Sequence, residues 1–210
     1  MSLVLRQGKA DDQIDQIADL IWSTDVELME FTFPSYEIWT KVARTEWRQP
    51  KGLISHLQAT IALSDGEVAG ITVGHTSAEY PENFDYTVNL QREIFSADEL
   101  AHHQDALIWM DRLFPPARED AFYVQELAVA PRFRGQGLGK RLLAAALERA
   151  KAAGAQRISL DVAEANPSVA VYNSLGFETE IETRVPYLEE RGIGRHLHMS
   201  LPVADAGALS

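Results

Sequence analysis

The sequence predicts a single α/β (α+β) domain over residues 1–202. Three observations support this class: a glycine-rich loop joins a strand-like run to a helix-like run, short apolar runs elsewhere are separated by amphipathic helical patterns, and 46% of the 210 residues are hydrophobic. A chain of this length and apolar content can fill one hydrophobic core.

Seven short runs have the apolar or alternating pattern of strands. They lie at residues 3–6, 59–63, 68–73, 122–129, 157–162, 177–184 and 196–201. The second and third flank Ser64–Glu67, which predicts a hairpin. Helical patterns lie between strands: one follows Asp11, a second covers 25–48 with an interruption at Pro34, and a third covers 140–151. Strands and helices therefore alternate along most of the chain.

The chain is acidic, with 31 acidic against 19 basic side chains and a net charge of −12. This balance argues against nucleic acid or an anionic membrane as a partner, and it favours cationic substrates. The absence of cysteine excludes a disulfide framework, a thiol nucleophile and thiolate metal ligands. The N-terminus lacks the pattern of a secretory signal and no apolar run has the length of a membrane span, so we expect a cytoplasmic protein.

The most informative segment is the glycine-rich loop Arg134-Gly135-Gln136-Gly137-Leu138-Gly139-Lys140. Its glycines permit backbone conformations with positive φ and let a ligand approach the main chain. The helix that follows offers unpaired N–H groups and the positive end of its dipole to an anion. In an otherwise acidic protein, this pattern predicts a local binding site for a pyrophosphate.

Two other phosphate-binding loops fit this segment poorly. A P-loop requires Ser or Thr after its Gly-Lys pair, whereas Gly139 and Lys140 are followed by Arg141. The dinucleotide fingerprint G-x-G-x-x-G would need its third glycine at Lys140 or at Leu142, so it fails on spacing. The loop is therefore of a different type.

The loop resembles the Arg/Gln-x-x-Gly-x-Gly/Ala motif of the GNAT superfamily of acyl-CoA-dependent N-acetyltransferases, with Arg134, Gly137 and Gly139 at the defining positions. A second block, Asn166–Phe177, resembles the family's helix whose Tyr precedes Leu-Gly-Phe. Both motifs occur in the family's order, and the match is specific over about residues 120–201. It implies the GNAT fold: a central mixed, mostly antiparallel sheet, helices on both faces, and splayed fourth and fifth strands.

The resemblance also implies an activity, namely transfer of an acetyl group from acetyl-CoA to a primary amine by direct attack in a ternary complex, without a metal. CoA would contact the loop Arg134–Lys140, Asn166 and a bulged part of the fourth strand that also serves the carbonyl oxygen. That part is Leu127, Ala128 and Val129. The acceptor would be a small-molecule amine or a peptide amine. A non-catalytic acyl-CoA-binding sensor on the same fold is the alternative.

Three residues are candidates for proton transfer. Tyr172 matches the family's tyrosine that contacts the CoA sulfur, and a phenol is protonated at neutral pH. Asp161 and Glu126 lie in strands, where a carboxylate is costly to bury unless it is paired. For each carboxylate three roles stay open: a direct base, a residue that positions water, and a structural partner of an Arg or a backbone N–H. Tyr172 and Asn166 have structural alternatives too, as a core tyrosine and a helix cap.

The histidines form two pairs along the sequence, one in a predicted helix and one in the last strand. They are His102, His103, His196 and His198. Neither pair has the partner ligands of a metal site, so we expect histidines on the surface.

The segment 77–120 separates the third and fourth strands, where the family has a tight turn. It is too long for a loop without structure. Ser96–Glu99 predicts a capping box that starts a helix. Three uses stay open: a substrate lid, a homodimer surface, and packing. The tail 203–210 is small and polar, and we expect it to be flexible.

Overall fold

The computed structural model describes residues 3–116 and 118–209, and one sheet contains all the strands in this part of the chain. The strands are β1 (Leu3–Gln7), β2 (Ala59–Ser64), β3 (Glu67–Thr76), β4 (Ala121–Val129), β5 (Arg157–Ala163), β6 (Glu178–Thr183) and β7 (His196–Pro202). Their order is β1-β2-β3-β4-β5-β7-β6, and neighbours are antiparallel except for the parallel pair β4 and β5. This confirms the predicted mixed, mostly antiparallel sheet.

Helices cover both faces of the sheet. They are α1 (Ile14–Trp22), α2 (Val26–Thr32), α3 (Tyr36–Trp47), α4 (Tyr80–Ile94), α5 (Ala97–Leu113), α6 (Leu138–Ala152), α7 (Ser168–Ser174) and α8 (Pro186–Glu189). On one face α1 and α3 pack in a core with β2 and β3, and on the other α6 packs against β3, β4 and β5. The helix α6 also makes the crossover that joins the two parallel strands.

Local sequence signals account for several boundaries. The hairpin between β2 and β3 turns at Asp65 and Gly66, whose φ angles of 49° and 88° are those of a type I′ turn. The side chain of Asp25 caps α2, and that of Ser35 caps α3, so Pro34 separates two helices as predicted. Ser96 starts α5 with a complete capping box.

The insertion between β3 and β4 contains two helices, whereas the sequence predicted only the second. The buried side chains of α4 are Asn83, Thr87 and Gln91. Because these inward-facing residues are polar, α4 lacks the apolar stripe by which an amphipathic helix is recognised. The polar inner face of α4 is explained by buried hydrogen bonds: Asn83 bonds to His75 and Thr87 bonds to Glu46.

Two expectations differ from the structure. The segment Val203–Leu209, expected to be flexible, forms a 3₁₀ turn, and it buries Ala206 and Leu209 in the core beneath α6. Ser210 lies outside the described residues. The histidines expected on the surface are mostly internal: His102 is exposed, but the other three are each about 3% exposed. They are His103, His196 and His198. Two of them lie on β7, a strand that is paired on both sides.

Candidate active site

The strands β4 and β5 separate part-way along their length. They pair over four residues each, from Ala121 with Arg157 to Val124 with Leu160. Beyond that point β4 continues to Val129 and β5 to Ala163 without pairing to each other. The splay predicted for these strands is therefore present, and it opens a space between their inner edges.

A β-bulge in β4 lies at the start of this opening. Val73 of β3 pairs with Glu126, whereas the next residue, Gly74, pairs with Val124, so Gln125 is the extra residue. The bulge is thus two residues earlier than Leu127–Val129, where it was expected. Its effect is to turn Glu126 to the same face as Tyr123, which strict alternation would have placed on the opposite face.

The glycine-rich loop lies between the end of β4 and the start of α6. Gly135 and Gly137 have φ angles of +72° and +75°, and a Cβ added to either would have no neighbouring heavy atom within 4 Å. The guanidinium Nε of Arg134 donates a hydrogen bond to the carbonyl oxygen of Val129 at 3.0 Å, which holds the loop against β4. The loop therefore needs glycine for its backbone conformation and leaves an open surface beside it.

The N-terminus of α6 faces the same loop. Its first intrahelical hydrogen bond runs from the N–H of Arg141 to the carbonyl of Gly137, so the N–H groups of residues 138–140 have no partner within the helix. Lys140 and Arg141 are exposed beside them. Amide donors and two cationic side chains together suit a pyrophosphate.

Tyr172 and Asn166 lie at the β5 side of the opening. The Tyr172 side chain is 7% exposed and its ring centroid is 5.7 Å from that of Phe177. Burial raises the pKa of Tyr172 to about 12, so its hydroxyl keeps its proton. The Oδ1 atom of Asn166 accepts a hydrogen bond from the N–H of Ser168 at 2.9 Å. Asn166 is thus a cap for α7, and its Nδ2 amide remains a potential donor.

Asp161 lies on β5 and pairs directly with His198 of β7. The Nδ1 atom of His198 lies 3.0 Å from Oδ1 of Asp161, and the two side chains are 2% and 4% exposed. The buried carboxylate therefore has a partner, but the partner is a histidine and not the Arg or backbone N–H considered from the sequence.

Glu126 has a different environment from Asp161. The hydroxyl of Thr24, from the loop between α1 and α2, donates to Oε2 of Glu126 at 3.2 Å. Burial raises the pKa of Glu126 to about 8, the hydrogen bond from Thr24 lowers it, and the neighbouring carboxylate of Asp25 raises it. Glu126 is thus mostly protonated at neutral pH and gains its charge as the pH rises through about 8.

Two tyrosines stand beside these carboxyl groups. The rings of Tyr80 and Tyr123 meet edge to face with centroids 5.8 Å apart. Burial, with the nearby carboxylates of Asp161 and Glu126, raises the pKa of Tyr80 to about 12. Burial and Asp161 also hold the pKa of Tyr123 well above its usual value. Both phenols therefore remain neutral hydrogen-bond donors next to the two carboxyl groups.

A cavity of about 250 Å³ connects these groups. Its wall includes five of the residues predicted for the site. They are Glu126, Leu127, Asp161, Asn166 and Tyr172. Helices α1 to α5 supply most of the remaining wall, so the insertion borders the same cavity. In the described part of the chain, four carboxyl groups and no Lys or Arg line it.

Comparison with known proteins identifies the family to which this geometry belongs. A sequence model of the acetyltransferase (GNAT) family matches residues 15–177. The chain belongs to the acetyltransferase (GNAT) family. Membership implies acyl transfer. A comparison with curated proteins found no match.

Solved structures agree with this assignment. A crystal structure described as an acetyltransferase is 26% identical, with a TM-score of 0.69, over 95% of this chain and 99% of that one. An N-acetyltransferase from Staphylococcus aureus Mu50 is 16% identical, with a TM-score of 0.69, over 94% and 100%. The NatC complex bound to Gag peptide and CoA contains a chain that is 17% identical, with a TM-score of 0.56, over 96% and 99%. The last two show a shared fold.

Not every predicted residue of this acetyltransferase lies at the cavity. Ala128 is buried in the core with α1 and α3, and Val129 packs against Leu138. The loop Arg134–Lys140 lies outside the cavity, at the end of β4. Side chains of Ala128 and Val129 therefore have structural roles, while the main chain of this segment borders the opening.

Several residues at the candidate site were not predicted. They are Thr24, Asp25, Tyr80, Tyr123, Gln125 and His198. Most lie far from the motifs along the chain and arrive through tertiary packing. His198 could have been found by aligning the two strands, because the pairing of β5 with β7 places it opposite Asp161. Among the described residues, no group of three or more His, Asp or Glu could hold a metal, and none of the described helices could span a membrane.

Proposed function

We propose that this acetyltransferase transfers an acetyl group from acetyl-CoA to a primary amine by direct attack in a ternary complex. One observation carries the proposal: a single cavity brings together Glu126, Asp161 and Tyr172 at the opening between β4 and β5. Amine acylation needs a group that removes a proton from the ammonium and a group that protonates the leaving thiolate. The cavity contains candidates for both.

The residues of the loop fit the pyrophosphate of CoA. Unpaired N–H groups at the start of α6, the open surface over Gly135 and Gly137, and exposed Lys140 are the features that bind such an anion. The opening between β4 and β5 begins within the same strand that leads to the loop. An extended arm attached to the pyrophosphate would therefore lie along this opening, and acetyl-CoA, when bound, supplies the activated thioester carbonyl.

Glu126 is the better candidate for the base. A general base works best when its pKa is near the working pH, and burial raises that of Glu126 to about 8. Asp161 is already engaged by His198 and lies close to Tyr123. We assign proton removal from the ammonium to Glu126, and to Asp161 the positioning of its neighbours.

Tyr172 is assigned as the acid. As the amine nitrogen bonds to the carbonyl carbon, the carbon–sulfur bond breaks and the sulfur needs a proton. With a pKa of about 12, the Tyr172 hydroxyl carries that proton at any physiological pH. As the amide forms, the nitrogen loses its second proton, which restores the Tyr172 hydroxyl, and the proton taken up by Glu126 passes to solvent. The products are an N-acetylamine, CoA thiol and one proton.

The experiment is thiol release from acetyl-CoA by wild-type protein with a panel of primary amines. Amine-dependent release, with a tertiary amine as the negative control, supports the acetyltransferase reaction. Acetyl-CoA binding in calorimetry without release for any amine would instead favour the sensor. Binding of NAD(H) in place of acetyl-CoA would contradict both.

A further inference from the structure

Three helices run along the cavity and each turns one stripe of side chains towards it. On α2 and its cap the stripe is Asp25, Leu28, Met29 and Thr32. On α4 it is Tyr80, Phe84, Thr87, Val88 and Gln91, and on α5 and its cap it is His103, Leu107, Met110 and Phe114. Spacings of three, four and seven residues mark one face of each helix, so the three stripes form the walls of an elongated space.

The stripes share a first end, next to the carboxyl groups. Asp25 lies 3.2 Å from Nε2 of His196, and the Phe114 ring lies 5.5 Å from the same imidazole. Tyr80, the first residue of the α4 stripe, meets the ring of Tyr123. We call this the carboxyl end, because Glu126 and Asp161 also line it.

The stripes share a second end, at His103. Its Nδ1 atom lies 2.9 Å from the carbonyl oxygen of Thr32, and its Nε2 atom lies 3.0 Å from Oε1 of Gln91. The last residues of the α2 and α4 stripes therefore meet the first residue of the α5 stripe. We call this the histidine end.

Helix geometry gives the distance between the two ends. At 1.5 Å per residue, the seven positions from Asp25 to Thr32 span about 10 Å, and the eleven positions of the α4 and α5 stripes span about 16 Å. A cavity of about 250 Å³ extended over such a length is narrow. It suits a chain or a flat ring system better than a compact, branched molecule.

The chemical character of the lining side chains changes along this length. The carboxyl end has Asp25, Glu126 and Asp161, with two tyrosine rings. The middle is mainly apolar, with Leu28, Met29, Phe84, Val88, Leu107 and Met110. A fourth carboxyl group, Glu46, also reaches the wall, but it accepts hydrogen bonds from Thr87 and from the N–H of Ile54. Burial raises the pKa of Glu46, and its Oε1 atom is already occupied by these two donors.

The histidine end is polar. Burial lowers the pKa of His103, which favours the neutral imidazole, and Thr32 and Gln91 already occupy both of its ring nitrogens. In the described part of the chain no Lys or Arg side chain lines the cavity, so neither could compensate an anionic group on a bound molecule.

We infer that the acceptor is an elongated amphiphilic amine, with one primary ammonium group at the carboxyl end and an uncharged, mainly apolar body that extends towards His103. This inference rests on the proposed amine acetylation and names its substrate class. It excludes acceptors whose body carries a carboxylate, a phosphate or a second ammonium group, since either charge would be buried among apolar side chains.

A long acyl chain on CoA is the competing occupant of the same space. Such a chain would have to place methylene groups among Asp25, Glu126 and Asp161 before it reached the apolar middle. An ammonium group gains from those carboxyl groups and a methylene group does not. The structure therefore favours the amine over the acyl chain.

The test is a chain-length series with wild-type protein and acetyl-CoA, using linear amines from propylamine to octylamine. Each buried methylene should raise kcat/KM about fourfold until the chain fills the cavity. The matched charged compounds are 6-aminohexanoate and hexane-1,6-diamine, which should each be at least about 100-fold poorer than hexylamine. A flat series, or a preference for either charged compound, overturns the inference.

Variants locate the effect in the cavity. Val88→Trp fills the middle of the α4 stripe and should lower the ratio of octylamine to propylamine activity by about tenfold or more. Asn89→Trp, at the exposed neighbouring position, should leave that ratio unchanged. If Val88→Trp does not fold, Leu107→Phe on α5 serves the same purpose. Equal ratios in wild type and a folded filling variant overturn the inference.

Failure of the proposed acetyl transfer can be distinguished from failure of the acceptor class. If no amine in this series or in the panel of primary amines releases thiol while acetyl-CoA binds, the acetyl-transfer proposal fails. If other primary amines are acetylated but this series is not, only the acceptor class fails. If propylamine is acetylated but activity increases with acyl-CoA length and not with amine length, the acetyltransferase stands and the cavity belongs to the acyl chain.

Discussion

Asp161 and His198 face each other across β5 and β7, with Nδ1 of the imidazole 3.0 Å from a carboxylate oxygen and both side chains below 5% exposure. A carboxylate at such depth is tolerated because it has this partner. The pair borders the cavity through Asp161, so it links the stability of the sheet to the shape of the site.

Removing the imidazole should destabilise the protein more than neutralising the acid. We expect His198→Leu to lower the free energy of unfolding by about 3–5 kcal/mol, because it leaves a buried carboxylate without its partner. Adding Asp161→Asn to this variant should recover part of the loss. Urea unfolding of both single variants and the double variant measures the coupling. The control is His102→Leu on exposed α5 surface, and equal losses at both histidines would contradict the pairing argument.

The ionisation of Glu126 should determine how kcat/KM changes with pH on the alkaline side. Because its pKa is raised to about 8, it is mostly protonated below that value and gains its charge above it. The wild-type kcat/KM should therefore rise with pH through about 8 and level off above it, since the amine needs no base once it has lost its own proton.

In Glu126→Gln the limb near pH 8 should disappear, and activity should be about 10²-fold lower at pH 8 and recover as pH approaches 10, where the amine loses its own proton. Asp161→Asn should keep the limb near pH 8. If that limb survives in Glu126→Gln and is lost in Asp161→Asn, the two carboxylates exchange roles.

Replacement of Tyr172 by Phe removes one hydroxyl and keeps the ring against Phe177. We expect a loss of about 10²-fold in kcat with little change in acetyl-CoA affinity, since the acid acts on the leaving thiolate. Single-turnover kinetics separate chemistry from product release. An unchanged chemical step would make the tyrosine a packing residue and water the acid.

Gly137 should be essential for CoA binding, and Gly154 offers a matched control. The two glycines lie at opposite ends of α6, have φ angles of +75° and +74°, and have open space where a Cβ would be. Valine at either position imposes a similar backbone penalty. We therefore expect similar losses in thermal stability from Gly137→Val and Gly154→Val, but loss of acetyl-CoA binding in calorimetry from the first alone. Binding retained in Gly137→Val would remove the loop from the site.

The sequence predicted the elements whose pattern is local. The strands around the loop appear as apolar runs, and the capping box at Ser96 specifies the start of α5. The helix α4 was missed, since its buried face is polar. Its polar residues bond to groups that are distant along the chain, such as Glu46, His75 and His103, and periodicity cannot report that.

Site residues could be predicted from the sequence only where one motif contains several of them. Tyr172 and Asn166 lie in such a motif, and both reach the cavity. Glu126 was found as a strand carboxylate, but its partner Thr24 is 102 residues away along the chain. The bulge lies at Gln125, two residues before Leu127–Val129, where it was expected. An extra residue in a strand does not change the apolar pattern of the run, so the sequence does not locate the bulge.

The separation of β4 and β5 divides the sheet into two leaves, a four-stranded one that ends at β4 and a three-stranded one that begins at β5. Only four residue pairs join them. A ligand lying in the opening would therefore take the place of the missing strand pairing. It would donate and accept hydrogen bonds where a neighbouring strand would. In that sense a bound acyl donor would be a building component as well as a reactant, because it would extend the contact between the two leaves beyond the four residue pairs that join them.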